Sequence, residues 1–162
     1  MKKTFSVLLI CLLAGFFIWS QGQAKTDTEE CRIYFVDRRL HRLIPLHFPA
    51  SRTPEKTAKK MVSEIINGRD SNSEILRLFP AIQDSITVQV SVCTAHVNLS
   101  SELALHINKN AENERLFVYQ IVNSLTSIDG IDYVQFTIDN EVKKEFLGFL
   151  DMREIFTADY YM

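Results

Sequence analysis

The sequence predicts an α+β fold: a mixed or antiparallel sheet with two helices packed on one face, in the order ββαββαββ. Three observations predict it. Apolar residues recur at helical spacing around Met61 and around Ile121, so each segment forms a helix with one apolar face. Apolar and polar residues alternate over residues 86–92, 95–99 and 134–138, as in strands with one buried face. Neither kind of element can bury its apolar side alone, and stacking the helices on the sheet satisfies both. At 162 residues, 46% apolar and 23% charged, the chain supports one hydrophobic core and departs from a disordered composition.

In chain order, the first segment is a leader. Met1-Lys2-Lys3 gives a positive start, residues 5–19 form an apolar run interrupted only by Ser6, and Gly22 and Ala24 are the small residues at −3 and −1 for cleavage after Ala24. This is the order of a secretory signal, so residues 1–24 are expected to be a signal peptide and the exported protein to begin at Lys25. An uncleaved anchor is the alternative, although the run is shorter than the ~20 residues that span a bilayer comfortably. Either way the domain lies outside the cytoplasm, secreted, periplasmic or held by that segment. Cys11 does not suit lipidation, because Ile10 before it is not small and the apolar run continues past it.

Residues 25–32 form a short tether into a single domain spanning 33–162, whose first strand-like run, β-branched and aromatic, already starts at Cys31. A charged turn, 37–42, leads to a second extended segment at 43–48, placed on an edge because Pro45 cannot donate a ladder hydrogen bond. The first helix is signalled by Thr53 as cap, Pro54 at its first position and Gly68 as stop. Its face is Ala58, Met61, Val62, Ile65 and Ile66. A loop at 70–73 and a short helical turn at 74–79 follow. The alternating pair 86–92 and 95–99 makes a hairpin through Cys93-Thr94. The second helix covers about 110–127, with Val118, Ile121, Val122 and Leu125 on its face and Gly130 ending it. Residues 134–138 form a strand, Asp139-Asn140 a turn, and 146–150 the strand returning from it. The sheet edges fall near Pro45 and near Glu145.

Charge excludes one class of partner. Lys and Arg total 18 against 20 acidic residues, which provides no basic stripe for nucleic acid. Arg38, Arg39, His41 and Arg42 make a solvated turn. The histidines at 41, 47, 96 and 106 show no ligand spacing, so no metal and no cofactor are expected. His96, Asn98 and Ser100 share one strand face, and with Glu102 they outline a nucleophilic set. Ser100 lacks the sharp glycine-flanked turn that presents a nucleophile. Cys31 and Cys93 either pair as a disulfide, which an oxidising compartment permits, or serve as small buried apolar side chains. The aromatic end, Phe156, Tyr160, Tyr161 and Met162, is either a last packed element or an exposed contact patch.

Several short motifs, in order, resemble a GerMN domain, the module named for a sporulation and germination protein. They are Ile65-Ile66-Asn67-Gly68 at the end of the first helix, Phe79-Pro80 before the strand pair, and Ala95-His96-Val97-Asn98-Leu99-Ser100 followed by Glu102-Leu103. Ile121-Val122-Asn123-Ser124-Leu125 in the second helix, Val134-Gln135-Phe136-Thr137-Ile138-Asp139 and Phe146-Leu147-Gly148 complete the set. The chain departs from the family pattern at Arg69, Cys93-Thr94, Asn98 and Asn140, all at turns or edges. The resemblance implies a fold related to ring-building modules and an exported, non-enzymatic protein. Such a protein acts as a protein-interaction module among envelope or membrane proteins, in a sporulation- or germination-type complex. The isolated domain is expected to be monomeric. The alternative is a small secreted hydrolase or ligand-binding domain using the His96/Ser100 face.

Overall fold

A computed structural model describes residues 30–68 and 74–161. The predicted signal segment, the first part of the tether, the loop at 70–73 and Met162 lie outside the described residues.

Strands β1 (Glu30–Asp37) and β2 (Leu43–Pro49) form an antiparallel hairpin with Ile33 opposite Leu46. The Asp37 N–H donates to the Arg42 carbonyl at 2.8 Å. This sets the alternation of bonded pairs, so Leu43, Pro45, His47 and Pro49 turn their backbone to the open side of β2. Two of those four positions are prolines. The missing N–H groups fall where a foreign strand would seek them, which protects the edge.

The other side of β1 is closed by a helix. The N–H groups of Arg32 and Tyr34 donate to the hydroxyls of Ser127 and Ser124, at 2.9 and 2.8 Å. These serines lie one turn apart on α3 (Ala111–Leu125) and just beyond its end. Two side-chain oxygens thus replace a neighbouring strand. Ser124→Ala is expected to cost about 1–2 kcal/mol and to speed hydrogen exchange at the Tyr34 amide. Unchanged exchange there would remove this role.

α1 (Pro54–Asn67) follows its sequence signals: the Thr53 hydroxyl accepts from Lys56 N–H, and Gly68 ends the helix at φ 68°. Its apolar face packs on β4 (Ile86–Ser91). β4 pairs antiparallel with β5 (Thr94–Leu99), β5 parallel with β6 (Tyr133–Ile138), and β6 antiparallel with β7 (Ile155–Phe156). The parallel pair needs a long crossover, which α2 (Leu103–His106) and α3 supply. α3 packs against β1, α1 and β6, and from Leu116 to Leu125 every residue except Tyr119 is buried.

The α+β class holds, with three differences. The strands divide into two sheets, β2-β1-β3, where β3 is Ile75–Leu76, and β4-β5-β6-β7, and the order is ββαβββααββ. The predicted helical turn at 74–79 contains β3 (Ile75–Leu76), which pairs with the end of β1 and buries Ile75. The predicted strand at 146–150 is irregular, because its N–H groups go to a carboxylate. Glu114 of α3, 0% exposed, accepts from Leu147 at 2.7 Å, Phe149 at 2.7 Å and Leu150 at 3.0 Å. The edge expected near Glu145 is therefore absent, and the four-stranded sheet ends at β4 and β7. α3 stops at Leu125, with Gly130 at φ 83° in the turn to β6.

Candidate interaction surfaces

The four-stranded sheet buries Val88, Val97, Val134 and Phe136 on its inner side. Its outer side follows from the register. Asn98 stands between Thr87 and Thr137, and His96 between Gln89 and Gln135, with Ile155 beyond. Thr94 stands between Ser91 and Tyr133. These ten outward positions contain no Asp, Glu, Lys or Arg. Tyr133 is 42% and Ile155 60% exposed. The alternation of the strands shows which residues face outward; the absence of charge emerges only when the strands are laid side by side.

The nucleophilic set does not assemble. His96 and Ser100 are four residues apart along extended chain, about 13 Å at the rise of a strand, and the Ser100 hydroxyl accepts from the Glu102 N–H at 3.2 Å as a turn cap. Asn98, between them, fixes the sheet end: its side-chain oxygen accepts from the Thr137 hydroxyl at 3.1 Å and the Asn140 N–H at 2.6 Å. Both roles need only an acceptor, so an aspartate could fill the same place. Asp139 completes this clamp by accepting from the Ser101 N–H at 2.9 Å. That bond and the nearby Lys143 ammonium hold its carboxyl below the ordinary carboxylate range.

The other histidines are dispersed. His41 is 3.6 Å from Glu112 and His47 3.6 Å from Glu30, while His106 ends α2 on the surface. Among the described residues no group of three or more His, Cys, Asp or Glu could hold a metal ion. Cys31 and Cys93 are not bonded to each other. Cys31 is buried in β1, its thiol directed to the Phe48 carbonyl at 3.3 Å, while Cys93 lies in the β4–β5 turn of the other sheet. Among the described residues no helix is long and apolar enough to cross a membrane.

The aromatic end is part packed and part exposed. Phe156 is buried in β7. Past it, the buried Asn123 of α3 grips the Asp159 backbone from both sides, donating to its carbonyl at 2.7 Å and accepting from its N–H at 2.9 Å. This sets Tyr160 on Tyr34, with ring centroids 5.8 Å apart and planes at 26°. Tyr161 projects into solvent. Asn123 lay inside an apolar helical run, which marked it as a buried polar group in need of a partner. The partner, 36 residues further on, left no local sign.

A family model described as sporulation and spore germination, Germane, matches residues 32–144. The chain belongs to the Germane family. Among solved structures, this Germane chain is similar to the first GerMN domain of the sporulation protein GerM from Bacillus subtilis. The TM-score is 0.60 at 20% identity, covering 82% of this chain and 98% of that one. A Clostridium perfringens chain described as a candidate lipoprotein gives a TM-score of 0.57 at 18% identity, covering 79% and 86%. The tandem GerMN domains of the Bacillus subtilis GerM give 0.59 at 20% identity, covering 78% of this chain but 44% of that one. The chain thus spans less than half of the tandem structure. At these identities the likeness is one of fold, and it bears out the GerMN resemblance. A comparison with curated proteins gives no match.

Proposed function

We propose that this Germane-family chain is an exported, non-enzymatic cell-envelope protein. Its single GerMN-like domain acts as a protein-interaction module in an envelope complex of the sporulation or germination type. The observation that carries the reading is the uncharged outer face of the four-stranded sheet. Interface cores are depleted of charged residues and enriched in aromatics, and ten aligned positions without a formal charge, with Tyr133 and Ile155 exposed, fit that composition. Export is supported by the charged, apolar, small-residue order of the first 24 residues. The separation of His96 from Ser100 weighs against hydrolysis. The prolines on the open side of β2 weigh against self-pairing and favour a monomer in isolation.

The test compares two sets of variants in the exported protein, each checked for an unchanged melting temperature. Tyr133→Glu with Ile155→Lys is expected to abolish crosslinked capture of envelope partners in intact cells. His96→Ala with Ser100→Ala is expected to leave both capture and cellular phenotype intact. The converse pattern, a folded His96/Ser100 variant without function and a functional Tyr133/Ile155 variant, would establish the hydrolase or ligand-binding alternative instead.

A further inference from the structure

A concavity separate from the uncharged sheet face is built on β1 and β2, against the end of α3. Its volume is about 580 Å³, within the range of sites for small ligands. Glu30, Arg32 and Tyr34, alternate residues of β1, point into it, Leu43 and Pro45 of β2 form one side, and Tyr160 stands over it.

Three features distinguish this cleft from an ordinary surface hollow. The first is that Tyr160 is 55% exposed although its position is fixed. The buried Asn123 amide holds the Asp159 backbone through both of its hydrogen-bonding groups, and the ring rests on Tyr34. An exposed aromatic side chain would ordinarily lose entropy on binding, and here that loss is already met by the fold. The second is charge. One guanidinium and one carboxylate stand on the same face of β1, about 7 Å apart along the strand, so the cleft presents planar donors and planar acceptors without net charge. The third is position: Arg32 and Tyr34 are alternate residues on one face of β1, so the planar guanidinium stands beside the aromatic platform.

We infer that this cleft binds a saccharide ring. The apolar C–H face of a pyranose would lie on Tyr160, and its hydroxyls would meet the Arg32 guanidinium and the Glu30 carboxylate. A free anion or nucleotide is disfavoured, because Glu30 offsets Arg32. A lipid tail is disfavoured by the polar walls. A proline-rich peptide needs separate aromatic ridges with gaps between them, whereas Tyr34 and Tyr160 are stacked into one platform. The inference does not depend on the protein-interaction reading, which rests on a different sheet, and either can fail with the other intact.

The test is a titration of the exported protein, followed by NMR, with chitotetraose and, separately, maltotetraose. Saturable shifts at Arg32, Tyr34 and Tyr160 are expected with at least one of them. Tyr160→Ala and Arg32→Ala each alter an exposed side chain, so the fold should survive, and each is expected to weaken binding by about tenfold or more. Tyr161→Ala, outside the cleft, should leave affinity within about twofold. Three outcomes would overturn the inference: no saturation with either saccharide, saturation that both cleft variants leave unchanged, or displacement of the same shifts by a proline-rich peptide with no saccharide effect.

Discussion

Glu114→Ala is expected to lower the stability of the domain by about 3 kcal/mol or more and to free the chain at residues 146–150. The carboxylate is fully buried and accepts three backbone hydrogen bonds from a segment 33 to 36 residues away. Bonds to a charged acceptor are stronger than neutral ones, and alanine would remove all three together. Leu147 is itself buried, so its N–H would be left without water, and this is the costly kind of loss. Glu114→Gln separates charge from shape. The amide keeps one acceptor oxygen but turns an NH2 group towards N–H donors, so it is expected to fall between wild type and alanine. Native-state hydrogen exchange supplies the check: protection at Leu147, Phe149 and Leu150 should be lost together in Glu114→Ala. If protection persists there, the segment is held by its side chains and not by the carboxylate.

The same residue shows where sequence reasoning stops. α1 was legible because its signals are local: a capping threonine, a proline at the first position, an apolar stripe and a glycine stop all lie within sixteen residues of one another. β4, β5 and β6 were legible because alternation of side chains is also local. Residues 146–150 were not, because Phe146 and Leu147 resemble a strand while the partner of their backbone sits on a distant helix. Glu114 nevertheless left a trace. It precedes Val118, Ile121 and Leu125 at intervals of four and three, on the same face, so a charge stands in register with a buried stripe. A carboxylate there must find donors. β3 escaped because two residues have no measurable period. The division into two sheets escaped because periodicity reports which side of a strand is buried and not which strand lies beside it. The candidate surfaces divide in the same way. His96 and Asn98 were correctly placed on one strand face, while the uncharged outer face and the Asn123–Asp159 grip depend on neighbours distant in sequence.

Phe136→Ala is expected to cost about 3–5 kcal/mol, which for a domain of this size lowers the melting temperature by about 10 °C or more. Phe136 sits at the centre of β6, 1% exposed, with Val97 of β5 beside it in the parallel pair. Truncation would leave a cavity between the sheet and the helices, and the surrounding strands are held in ladders that limit its collapse. The ring has a second duty. It meets Phe156 edge to face, with centroids 5.3 Å apart and planes at 84°, and Phe156 meets Tyr119 of α3 in the same manner at 6.2 Å. β7 is only two residues long, too short to be held by its ladder alone, so Phe136 anchors it through Phe156. Phe156→Ala should therefore overlap with Phe136→Ala: in a double-mutant cycle the two losses are expected to fall short of additivity by about 0.5–1.5 kcal/mol. Thermal unfolding of the four proteins tests both statements. An unchanged melting temperature for Phe136→Ala would reject its place in the core, and strict additivity would reject the anchoring of β7 through the aromatic pair.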